Sequence, residues 1–76
     1  MMKKNEYEEM NYERAKVFSQ KKIKVHVSKR DGIFYNGIIT EVKSDFFFID
    51  DVEDGKILVF FVELLKPIQE YKGGIW

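Results

Sequence analysis

The chain has 76 residues, with 13 basic and 13 acidic side chains, no net charge, seven phenylalanines, one histidine and no cysteine. The missing cysteines exclude disulfides and thiolate metal sites, and a lone His26 makes no zinc site without several carboxylate partners, so neither metal nor cofactor is expected. A domain this small buries only roughly 60% of the surface its unfolded chain exposes, so apolar packing or self-association has to supply its stability.

Residues 1–10 read as an N-terminal extension or the start of a helix, 11–71 as one folded domain and 72–76 as a flexible tail. The opening segment has no uncharged apolar run, and no apolar stretch approaches the roughly 20 residues of a spanning helix. The reading is a soluble, cytoplasmic protein without a membrane partner. Residues 5–20 are rich in Glu, Lys, Arg, Gln, Ala and Met and lack glycine and proline, which predicts a helix. Asn5 followed by Glu8 has the spacing of a capping box, and Tyr7, Met10, Val17 and Phe18 share one broad face. Arg14 interrupts that face and moves the expected start toward Asn11.

After Lys22 the apolar period drops to two. Ile23, Val25 and Val27 alternate with Lys24, His26 and Ser28, as in a strand with one buried and one wet face. Asp31-Gly32 marks a hairpin turn, since glycine tolerates positive φ. A long second strand is expected over 33–43, with Gly37 allowing a sharp bend. The third follows over 45–50, with Phe46 and Phe48 on one face and Phe47 on the other. After a turn over 51–55 comes a fourth strand, 57–62, apolar on both faces, and a short fifth that ends near Tyr71. The expected architecture is mostly β: a small, five-stranded, strongly bent antiparallel barrel with an N-terminal α-helix.

Left unpaired, the fourth strand would template aggregation, so a strand from another subunit is its expected partner. Ile57, Leu58, Val59, Phe60, Phe61, Val62, Leu64 and Leu65 are the candidate oligomer interface. Charge is polarised along the chain. Seven basic and no acidic residues lie between Arg14 and Arg30, and eight acidic residues against Lys43 and Lys56 lie between Asp31 and Glu63. Lys16, Lys21, Lys22 and Lys24 are therefore candidate phosphate contacts. The acidic run 50–55 has Val52 where a calcium loop requires an oxygen ligand and Phe61 where the closing glutamate belongs, which makes it a turn. No nucleophile motif, phosphate loop or acid/base constellation points to an enzyme or a small-molecule substrate.

The segment from Asp31 to Val42 resembles the first motif of the Sm and Sm-like (LSm) family, which includes the bacterial Hfq branch. Gly32, Tyr35, Gly37, Ile39 and Val42 occupy its spaced glycine and apolar positions, and the resemblance runs from about residue 11 to 70. It implies closed homo-oligomeric rings, joined by pairing the fourth strand of one subunit with the fifth of the next, and binding of single-stranded RNA. Lys43, Phe47 and the pair Phe60-Phe61 stand where the family reads bases with polar groups. The expected mode is thus weak, sequence-tolerant binding, with Phe47 and Phe60 stacking on bases and Lys43 neutralising a phosphate. The alternative is an oligomeric protein-interaction scaffold without a nucleic-acid site.

Overall fold

The computed structural model describes residues 5–72. Helix α1 (Glu6–Lys21) precedes strands β1 (Lys24–Ser28), β2 (Phe34–Val42), β3 (Phe46–Asp51), β4 (Gly55–Phe60) and β5 (Gln69–Glu70), with a 3-10 turn at Phe61–Glu63. All strand pairs are antiparallel, in the order β4-β3-β2-β1-β5. The mostly β architecture is the expected one. The sheet is not closed, and β4 and β5 form its two edges. Residues 1–4 and 73–76, including most of the expected tail and Trp76, lie outside the described residues.

Helix α1 is capped by Asn5 and begins at Glu6, earlier than the interruption at Arg14 suggested. The Asn5 Oδ1 accepts the Glu8 N–H at 2.7 Å, and acidic side chains at 6, 8 and 9 complement the positive end of the helix dipole. It stops at Lys22, whose left-handed backbone (φ 54°) lets Ile23 N–H return to Phe18 O at 3.0 Å. Its buried face centres on Asn11 and Ala15, with Tyr12 and Phe18 packed beside them, and Val17 is exposed. Arg14 sits in this face because its Nε donates to Ile68 O at 2.7 Å.

Strand alternation sorts the rest. Val25 and Val27 of β1, Ile39 of β2, Phe47 and Ile49 of β3 and Val59 of β4 point inward, joined by Ala15, Phe61, Leu64 and Ile68 to form the core. The β1–β2 hairpin turns at Gly32 (φ 91°), where Asp31 Oδ1 accepts the Ile33 N–H at 3.0 Å. The long β2 pairs with β1 along its first half and with β3 along its second, and Gly37 lies opposite both Val25 and Asp51. A bulge between Ile39 and Glu41 adds to the bend.

The fourth strand departs from expectation. It ends at Phe60, and the 3-10 turn rolls Phe61 into the core against Phe47 (ring centroids 5.2 Å) while Val62 turns outward. Its two apolar faces therefore separate into inward Ile57 and Val59 and outward Lys56, Leu58 and Phe60. The connector to β5 then crosses the end of β1, where Leu64 bridges Lys29 and Leu65 N–H bonds Ser28 O at 2.8 Å.

Candidate nucleic-acid interface

The expected base-stacking pair is split. Phe47 is 0% exposed and wedged between Val59 and Phe61, so neither face of its ring is open to a base. The cause is the alternation of β3, which commits Phe47 to the same face as Ile49. Phe60 is 43% exposed on the opposite face, edge-on to Phe46 at 5.6 Å, and Phe46 in turn meets Phe48 at 5.7 Å. Lys43 bonds the other side of Phe46 through its backbone (Lys43 N–H to Phe46 O, 2.8 Å), but its ammonium is 2.9 Å from Glu41. That Lys43 hydrogen bond and charge hold the Glu41 carboxyl below its ordinary range.

The candidate interface is split in the same way. Val59, Phe61 and Leu64 belong to the core of their own chain, and Ile57 is half-buried against it, whereas Leu58, Phe60, Val62 and Leu65 are exposed. Among the candidate phosphate contacts, Lys16 lies 3.7 Å from Glu13 and over the Tyr12 ring. Lys21 and Lys22 are exposed at the C-terminal end of α1, and Lys24 Nζ sits 4.6 Å from the centroid of Tyr71.

Strand register assembles a second surface that no local motif announced. On the outer face of β1, Lys24 is flanked by Ile38 of β2 and by Tyr71, whose N–H bonds Lys24 O at 2.8 Å. The next outward row is Gln69, His26 and Asn36, and the one after it is Ser28 and Phe34. Rows two residues apart stand about 6.7 Å from one another. Tyr71, His26 and Phe34 thus form an aromatic line across the sheet. Phe34 is 58% exposed and tilts against the His26 ring at 5.4 Å. His26 Nδ1 lies 2.6 Å from Asn36 Oδ1, and Ser28 Oγ lies 3.2 Å from Nε2. Because an amide oxygen only accepts, the ring is the donor in the Nδ1 contact, and the Ser28 hydroxyl stands beside Nε2. Both ring nitrogens of His26 thus have polar neighbours.

The acidic turn is held from within. The Asp51 carboxylate accepts backbone N–H groups of Asn36 (2.9 Å), Glu53 (3.0 Å) and Asp54 (2.8 Å), which ties the β3–β4 turn to β2. Burial pushes this carboxyl up, and the three donors together more than reverse that effect, leaving it below the usual aspartate range. Asp51 therefore serves the turn, as Val52 and Phe61 implied.

No protein-family model matches the chain, and no curated protein matches it. Among the described residues, no helix is long and apolar enough to cross a membrane.

Proposed function

We propose that the chain is a non-catalytic, self-associating module of the Sm-like type, its bent sheet a five-stranded barrel with seams at β4 and β5, that holds single-stranded RNA weakly and with little sequence preference. The observation that carries the reading is the line of Tyr71, His26 and Phe34 on the outer face of β1 beside Lys24, with Lys21 and Lys22 at the adjacent helix end. Outward-facing rings on successive rows, with Phe34 exposed and His26 and Tyr71 half-buried beside it, suit sequence-tolerant stacking of bases, and flanking ammonium groups meet the phosphates without reading sequence. Asn36, Gln69 and Ser28 place amide and hydroxyl groups between the rings, within reach of base edges. This surface replaces Phe47 as the stacking element, and Lys43, neutralised by Glu41, contributes little to it.

The test is fluorescence anisotropy with labelled oligoribonucleotides of uniform sequence, at low and moderate salt. Binding at low salt that weakens steeply as salt rises and varies little among sequences is expected. Phe34→Ala should reduce it by about 5- to 150-fold, corresponding to roughly 1–3 kcal/mol for one stacked base. No binding at low salt ends the proposal.

A further inference from the structure

The outer face of the sheet is divided in charge. Lys24, with Lys21 and Lys22 at the adjacent helix end, lies on its β1 half. The β3–β4 half carries a second group of rings. Phe46 pairs with Phe60 and Phe48 with Leu58, so the four side chains stand on one face in two rows about 6.7 Å apart. Phe46 meets Phe48 and Phe60 at 5.7 Å and 5.6 Å between ring centroids, and Leu58 and Phe60 are 40% and 43% exposed. A contiguous apolar strip marks an interaction surface in a way that scattered apolar residues do not.

Carboxylates border this strip. Glu41 stands opposite Phe48, Asp50 follows Phe48 on the same face, and Asp45 precedes Phe46. Glu63 Oε1 accepts the Phe60 N–H at 3.3 Å and lies 3.9 Å from Lys29. Two ammonium groups stand among them. Lys43 is 2.9 Å from Glu41, and Lys56, opposite Asp50, has its Nζ 4.6 Å from the centroid of Phe48. Lys56 displays the contact this surface favours, a cation on the face of a ring with a carboxylate beside it. Among the described residues, Phe46 and Phe60 carry no such cation, and Asp45 and Asp50 form no ion pair.

We infer that the strip is a docking surface for a basic, apolar segment of another protein. Such a segment sets an apolar side chain against Leu58 and Phe60 and flanks it with arginine or lysine, whose cations lie on the open rings and meet Asp45 and Asp50. Charge decides the partner class, since the same carboxylates that attract a basic peptide repel the phosphates of RNA. The strip is small, which suits a transient contact. Its side chains stand on the face of the sheet and not in its edge, so a strand paired to β4 leaves them available. The inference goes beyond the preceding reading and depends on neither RNA binding nor self-association.

The experiment titrates the full chain into a fluorescein-labelled synthetic peptide of about a dozen residues built from leucine and arginine, read by anisotropy. Binding in the micromolar range is expected, weakened about tenfold or more when glutamate replaces arginine or glycine replaces leucine. Phe60→Ser should weaken it about tenfold and Asp50→Asn about threefold, both with unchanged far-ultraviolet circular dichroism. Glu13→Gln, which removes an exposed carboxylate from the helix, should change nothing. No peptide binding, equal binding by wild type and Phe60→Ser, or a loss at Glu13→Gln as large as at Asp50→Asn would overturn the inference. Sedimentation of the same proteins tests the remaining occupant: a wild-type assembly that Phe60→Ser dissolves would assign the strip to a second copy of the chain and overturn the choice of partner.

Discussion

Gly37 lies so close to the backbone of Asp50 that a Cβ at this position would fall on the Asp50 carbonyl oxygen. The glycine is required by the approach of one strand to another, and not by a left-handed backbone, so the bend of β2 and its pairing with β3 depend on the same missing atom.

Gly37→Ala should therefore cost about 3 kcal/mol or more, because the obstacle is backbone and has no rotamer to escape into. Urea unfolding measures it. A loss below about 1 kcal/mol would show that the ladder shifts to accommodate a methyl group.

Acid should loosen the fold through Asp51. Its folded carboxyl titrates below the ordinary aspartate range, so the unfolded chain binds the proton more tightly. The resulting stability is complete above the ordinary carboxyl pKa of about 4 and is lost as pH falls through the lowered folded value. Asp51→Asn should cost about 1–3 kcal/mol at pH 7 and flatten the acid limb of a plot of urea midpoint against pH. An unchanged acid limb would place the titrating group elsewhere.

Phe34 and Phe47 should part company. Phe47→Ala empties the centre of the core and should cost about 3–5 kcal/mol. Phe34→Ala, on the outer face, should change stability by no more than about 0.5 kcal/mol while reducing RNA binding. Parallel unfolding and anisotropy curves separate the two, and a large stability loss at Phe34 would mark its ring as structural.

On the helix, two side chains with buried polar atoms should behave oppositely. The Tyr7 hydroxyl is buried without a hydrogen-bond partner among the described residues, so Tyr7→Phe should be neutral or stabilise by up to about 1 kcal/mol. Asn11→Ala strips the Ile68 N–H of its acceptor and should cost about 1–3 kcal/mol. It should also accelerate hydrogen exchange at Ile68, which a purely apolar packing role for Asn11 would not do.

Local pattern made the skeleton legible. The cap at Asn5, the period-two run after Lys22, the Asp31-Gly32 turn and the placement of Phe46 and Phe48 opposite Phe47 were all readable from neighbours in sequence. What escaped was set by contacts between distant segments. The phase of β3 relative to the core decides that Phe47 is inside, and a family position for that residue carries no such information. The 3-10 turn at Phe61–Glu63 moves Phe61 off the strand, which an unbroken apolar run conceals. The aromatic line on β1 exists only because Tyr71, 47 positions from Lys24, pairs beside it. Arg14 breaks the apolar face because the carbonyl of Ile68, 54 positions away, takes its Nε–H, a contact no local pattern encodes.

With Asn11 and Arg14 holding both backbone groups of Ile68, the helix acts as a splint for the chain as it enters β5. Shortening either side chain would orphan a backbone group of the buried Ile68 and loosen the short strand that follows it.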